Sequence, residues 1–263
     1  MQKRTISRAW HLGRLRVYME ATNIIRDAVS RVTALRQSAT DKPELAQAIS
    51  EVKRLQARRF AGTYVDLLRT EQYQPAALFF LEELYSEKDY TLRDAQFARI
   101  ASGLERLFPQ QVVQTAVSMA RLHHLTEELD LAMALCWLNH GELGEVARYV
   151  AAWRSVGRRA DRDIQLATVL EVGQELDRLT RTPGLRMMLK MMRGPARMMG
   201  LSALQQFLES GFDTFAAMGR KGEGASYFLD TVRQREAGLI ERLFQASAVA
   251  CETEITRILG QAL

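Results

Sequence analysis

Apolar residues recur at helical spacing along almost the entire chain, and nowhere do they alternate as in a half-buried strand. Ile6, Trp10, Gly13, Val17, Ala21, Ile24, Ala28, Val32 and Leu35 follow one another at three- and four-residue steps. They draw one apolar stripe along a single long helix. That periodicity restricts the fold to the all-α class. Thr40-Asp41-Lys42-Pro43 interrupts the stripe, and a second helix is predicted from Glu44 to Leu68. Gln74-Pro75 opens a third, since proline suits the first helical turn. Thr91 with Asp94 three residues later resembles a capping box and starts a fourth, Leu92 to Leu107. Pro109 precedes the longest uninterrupted segment, 110–139. Further helices are expected at 142–155, 161–181, 201–218 and 224–259, with a short Met-rich one between Pro183-Gly184 and Gly194-Pro195. Short connections and the lack of repeats or flexible linkers predict a single compact bundle of about eight to ten helices. It would span 1–263, with long amphipathic helices over 5–70, central buried helices over 75–139 and C-terminal helices over 142–260.

The chain breaks its own apolar pattern in two central helices. On a wheel of the 110–139 segment, Val113, Val117, Ala120, His124, Leu131, Leu135 and Leu138 share one face. Glu127 and Glu128, at i+3 and i+4 from His124, flank it, and His123 falls off the stripe. In the third helix, Glu82 and Glu83 sit among Leu78, Phe79, Phe80, Leu81, Leu84 and Tyr85. Buried charge is costly unless paired, so His124, Glu127, Glu128, Glu82 and Glu83 mark either an ion-pair network or a ligand or metal cluster. Facing helices that project carboxylates and imidazoles inward are how di-iron bundles bind metal. Those sites use Glu-x-x-His, which is absent here; the order at His124 is His-x-x-Glu. Haem with His124 as axial ligand is a further alternative. The ion-pair alternative takes Arg93, Arg99, Arg106 or Arg121 as partners, arginine being the usual mate of a buried carboxylate. No cofactor is expected on that reading.

A second candidate is the run from Leu185 to Met199, where six methionines alternate with basic residues. Met187, Met188, Lys190, Met191, Met192, Arg193 and Arg197 suit an adaptable surface for a partner helix or a membrane. The alternatives are a core helix filled with methionine, or thioether ligation of Cu(I). Catalytic signatures are missing: no nucleophile elbow, no phosphate-binding glycine loop, no His-Glu-x-x-His and no Cys-x-x-Cys. Cys136 and Cys251 read as core residues.

Net charge is +5 but unevenly spread. Residues 1–59 carry 13 basic and 5 acidic side chains, whereas 60–153 carry 7 and 13. Residues 154–197 return to 10 basic against 5 acidic. Such blocks attract one another within a fold, or present a basic face to an acidic partner. Arg4, Arg8, Arg14 and Arg16 in the first helix suit nucleic acid or a membrane surface, although no recognition helix accompanies them. No apolar run approaches the ~18 residues that span a bilayer. The basic start lacks the apolar core of a secretory signal. With two unpaired-looking cysteines, the expected setting is cytoplasmic.

Three stretches, PAALFFLEELYSEKDYTLRDAQFARI, HHLTEELD and TPGLRMMLKMMRGPARMMGLSALQQFLESGF, resemble an uncharacterised all-helical protein family of proteobacteria. The resemblance covers most of the chain after about residue 60. It implies a bacterial cytoplasmic setting and transfers no activity. The function expected is that of a non-catalytic interaction or regulatory protein, binding a protein partner through basic or Met-rich helical surfaces. The alternative is a helical small-molecule, metal or haem-binding protein built around His124 and the glutamates.

Overall fold

The computed structural model of the chain describes residues 2–85, 88–107, 109–219 and 224–262, with side chains described from residue 20 onward apart from 84 and 104–107. Ile6, Trp10, Gly13 and Val17 of the first predicted stripe, and the arginines at 4, 8, 14 and 16, therefore lie outside the described side chains. The chain is all-α, with no strand among the described residues. Its helices are α1 (Gln2–Thr40), α2 (Pro43–Thr63), α3 (Val65–Leu68), α4 (Gln74–Leu84), α5 (Thr91–Leu107), α6 (Gln110–Leu138) and α7 (Glu145–Val156). They continue with α8 (Arg159–Thr180), α9 (Leu185–Met191), α10 (Arg193–Met198), α11 (Ser202–Met218), α12 (Gly224–Gln245) and α13 (Ala248–Leu259).

This is more helices than the periodicity predicts, and two of the extra breaks have a local cause. The second predicted helix stops at Tyr64, whose side chain is fully buried and whose hydroxyl donates to Glu236 at 3.0 Å. A four-residue α3 follows. The last predicted helix divides because Ser247 caps α13, its hydroxyl accepting from the Ala250 N–H at 3.3 Å. Arg154 binds the carbonyls of Leu243 and Ala246 at the end of α12, where they have no helical partner. The expected capping box at Thr91 does not form. The Thr91 N–H is taken by Asp89 instead, at 2.9 Å, and Asp94 turns inward.

α6 is the central element. It packs against α1, α2, α5, α7 and α8, while α8 in turn meets α11 and α12. Its inward stripe is Val113, Ala116, Ala120, the half-buried His123, Glu127, Asp130, Ala134 and Trp137, strict three- and four-residue steps characteristic of a packed seam. The face through His124 expected from the wheel is buried in its first half, at Val113, Val117 and Ala120, and turns outward beyond His124, where Leu135 is 49% and Leu138 38% exposed. Two large core clusters flank the polar centre of the fold. One joins α2, the second half of α6, α7 and α13 around Val52, Tyr149 and Ile255. The other joins α3, α4, α11 and α12 around Phe80, Phe215 and Phe228. α2 and α13 approach closely at Gly62 of α2, where a Cβ would fall 2.0 Å from the Ile258 carbonyl oxygen of α13.

Candidate functional site

The seam of α6 carries its charge at mid-height. Glu127 is buried and accepts from Arg36 Nη2 of α1 at 2.9 Å. It also accepts from Lys53 Nζ of α2 at 3.1 Å to each carboxylate oxygen. Arg36 uses its other terminal nitrogen on Asp94 of α5, at 2.9 Å. The same Asp94 oxygen lies 2.8 Å from His123 Nε2. Four helices are thus tied through two buried carboxylates. Burial works to push both acids up, yet their partners prevail: Lys53 and Arg36 hold Glu127 below the ordinary carboxylate range, and His123, Arg93 and Arg36 do so for Asp94. Asp130, one turn further along α6, behaves oppositely. Among the described residues its ion-pair partner is Lys53 alone, at 3.9 Å, and burial pushes its carboxyl up.

A pocket of about 190 Å³ opens beside this network, between α4, α5, α6, α8 and α11. Phe79, Phe80, Met119, Leu122, Leu208 and Phe212 wall it. Lys53, Asp94, His123, Thr126, Glu127 and Asp130 form its polar side. Gly211 of α11 keeps it open, since a side chain there would meet the Phe79 ring, 3.2 Å from a Cβ. The arrangement suits an amphipathic molecule: an apolar wall with a few fixed polar groups.

A second buried polar cluster lies behind it. Arg59 of α2 donates to Glu236 of α12 at 2.7 Å, and Tyr64 shares the same carboxylate oxygen. Arg162 of α8 donates to Gln165 at 3.1 Å, and Gln165 to the Thr126 hydroxyl at 2.8 Å. Arg59, Glu236, Arg162, Gln165 and Thr126 line a cavity of about 70 Å³. It shares Phe80, Leu122, Thr126, Asp130 and Val169 with the apolar pocket.

The sequence-predicted residues scatter over this picture. Glu127 is at the centre of the network, and Glu83 lines the apolar pocket while bonded to Arg93 at 2.6 Å. Glu128 points the other way, to Arg158 at 3.2 Å with 39% of its side chain exposed. Glu82 is exposed and paired with Lys88 at 2.8 Å. His124 is half-buried and lines neither cavity; its neighbour His123 takes the inward position. Among the described residues, no three His, Cys, Asp or Glu side chains converge as a metal ion would require. Of the expected arginine partners, Arg93 pairs with Glu83, while Arg99 donates to the carbonyls of Met199 and Gly200 at 2.5 and 2.9 Å. Arg121 is exposed, and the Arg106 side chain lies outside those described.

The Met-rich run forms two short helices. Leu185, Leu189 and Ala196 are buried, whereas Met187, Met191 and Met198 are 69%, 72% and 84% exposed. Met188 and Met192 are intermediate. Arg193 is held by Glu209, and Lys190 and Arg197 face outward. Cys251 is buried, its thiol donating to the Arg242 carbonyl at 3.2 Å, and Cys136 is half-buried. Among the described residues, no helix is long and apolar enough to cross a membrane.

Arg36, Lys53, His123, Asp94, Asp130, Arg162 and Glu236 escape a wheel drawn on apolar residues alone. The signal that marks several of them is a charged residue standing in a seam. Arg59 falls in the α2 series Leu45, Ala48, Val52, Leu55, Arg59, Gly62. Glu236 falls in the α12 series Ala225, Leu229, Val232, Glu236, Leu239, Leu243.

Residues 35–250 match the model of the family described as a domain of unknown function, DUF8198, and the chain belongs to that family. No curated protein and no solved structure matches it.

Proposed function

Since membership of a family without an assigned activity leaves the geometry to carry the reading, we propose that this protein binds an elongated, largely apolar small molecule. The single observation behind this is the pocket of about 190 Å³, apolar over most of its wall and bounded on one side by pinned charges. Pinned groups orient a ligand at little cost in ordering, because Lys53 and His123 on the pocket wall are already fixed by Glu127 and Asp94. The proposal includes a cytoplasmic setting, in line with the two free cysteines. The test is displacement of a pocket-bound fluorophore, 1-anilinonaphthalene-8-sulfonate, by octanol. Wild-type protein is expected to bind the dye stoichiometrically and release it. Gly211→Leu, which fills the pocket beside Phe79, is expected to bind at least about tenfold more weakly. Equal dye binding by both proteins refutes the reading.

A second reading rests on the exposed face of α9 and α10. Met187, Met191 and Met198 project into solvent beside Lys190 and Arg197, which suits the apolar, acidic surface of a protein partner. If that surface works, Met191→Glu abolishes co-purification of a stoichiometric partner while leaving dye binding intact. A partner retained by Met191→Glu would exclude this face.

A further inference from the structure

The small cavity behind the apolar pocket holds an unusual set of unsatisfied atoms. Arg59 Nε, Arg162 Nη2 and Trp153 Nε1 are buried without any hydrogen-bond partner. All three belong to side chains lining this one cavity of about 70 Å³. All three are donors. The only other such atom among the described residues, Asp177 Oδ1, belongs to a residue that lines neither cavity. Buried donors without partners are rare in folded proteins and costly, so three around one space call for an acceptor.

The two arginines are not equivalent. Arg59 is bonded to Glu236, and although burial opposes its charge, that carboxylate holds it well above the usual guanidinium range. Arg162 is 6% exposed and, among the described residues, no carboxylate closes on it to salt-bridge distance; Asp130, on the same cavity wall, attracts it only through space. Arg162 stacks 4.2 Å over the Trp153 ring and is fastened to Gln165, a neutral side chain. Burial accordingly pushes it below the usual range. An unpaired buried guanidinium is what a fold avoids unless something anionic joins it. A water molecule accepts hydrogen bonds and can pass its hydrogens to Asp130 or Glu236 on the cavity wall, but it brings no charge to the guanidinium. A carboxylate brings only acceptors, and its planar pair of oxygens matches the guanidinium fork.

We infer that the cavity around Arg162 is a carboxylate site, and that it takes the acid group of an amphipathic ligand whose chain lies in the adjoining apolar pocket. The chain half of this inference rests on the reading given above; the acid half rests on Arg162, Arg59 and Trp153 alone. Leu122, Thr126 and Asp130 border both spaces, so a chain in one and a head in the other follow a single path across α6.

The experiment compares sodium octanoate, octanol and sodium acetate by calorimetric titration on the full-length protein at pH 7 and constant ionic strength. Octanoate is expected to bind at least about tenfold more tightly than octanol, the margin of a charge-assisted bond. Trp153→Phe removes one orphan donor and keeps the ring, so it should fold as the wild type does and narrow that margin severalfold. Arg162→Gln should abolish the margin and leave octanol binding unchanged. Octanoate and octanol binding equally would overturn the carboxylate site while leaving the apolar pocket standing. Acetate binding with neither eight-carbon molecule bound would support a site for free carboxylates and refute the pocket. No binding of octanoate or acetate, or a margin untouched by both variants, overturns the inference.

Discussion

Glu127 and Glu128 are neighbours in sequence with the same chemistry, and the fold gives them opposite weights. Glu127 is 8% exposed and accepts three charge-assisted hydrogen bonds, one from Arg36 and two from Lys53. Glu128 accepts one, from Arg158, with both side chains about one-third or more exposed. Breaking a fully buried pair typically costs ~3–5 kcal/mol because a bare charge is left behind. Here the bare cations have some relief. Arg36 is 26% exposed and keeps Asp94 at 2.9 Å, and Lys53 is 17% exposed with Asp130 at 3.9 Å. The cost of Glu127→Ala therefore falls at the lower end, about 3 kcal/mol. Arg158 loses less, since it also holds Asp161 at 2.5 Å, and Glu128→Ala should cost about 0.5 kcal/mol, as exposed pairs do.

Urea denaturation at pH 7 measures both. The corresponding melting temperatures should fall by roughly 6–10 °C for Glu127→Ala and about 1–2 °C for Glu128→Ala in a chain of this size. Acid supplies an independent check. The folded-state value of Glu127 is depressed, so its contribution is present above the ordinary value of 4.5 and is lost as pH falls through the folded value. The gap between wild type and Glu127→Ala should narrow below that point. Losses within about 0.5 kcal/mol of each other, or a gap that widens on acidification, would show that Glu127 does not sit in a buried network.

Asp130→Asn should be neutral or stabilising at pH 7 by up to about 1 kcal/mol, because burial raises the Asp130 carboxyl and a neutral isostere removes the charged form. A raised folded value means that Asp130 favours folding while protonated and ceases to as pH rises through it. The advantage of Asp130→Asn should therefore grow from acid to neutral pH; a shrinking advantage in paired urea titrations would reverse the assignment. Gly62→Ala should cost about 1–3 kcal/mol, its methyl colliding with the Ile258 carbonyl, whereas Gly238→Ala has open space and should gain about 0.5–1 kcal/mol. Thermal melts of the two variants shifting in the same direction would contradict the packing of α2 on α13.

The all-α class was legible because the apolar spacing is helical throughout, and the long helices α1 and α6 follow their predicted limits closely. The polar centre was only half legible. α6 is apolar on more than one side, so its own residues fit a face through His124 as well as one through His123. What selects between them is tertiary: α1 and α2 bring Arg36 and Lys53 to the side where Glu127 and His123 lie. Neither α1 nor α2 announces this, since an arginine at Arg36 reads as solvated surface until a partner is placed against it. Asp94 misled for a related reason, its spacing from Thr91 being that of a cap while its side chain serves a contact 29 residues away.

Those tertiary pairs follow a pattern that bears on why charge stands in the seams at all. Arg36 on α1 meets Glu127 on α6, and Arg59 on α2 meets Glu236 on α12. Sliding any of these helices by one turn would exchange each salt bridge for a buried unpaired charge, whereas sliding leucine against alanine costs far less. Paired charges in the seams thus fix which turns face one another, and through them the wall positions of the apolar pocket. Arg162 is the exception that this logic exposes. On α8, it shares a cavity wall with Thr126 and Asp130 of α6, yet among the described residues no carboxylate closes on it to salt-bridge distance, Asp130 acting only through space. A device for setting register would have come with its partner. A guanidinium left open beside two further orphan donors is better understood as waiting for an acid that no described side chain brings to bonding distance.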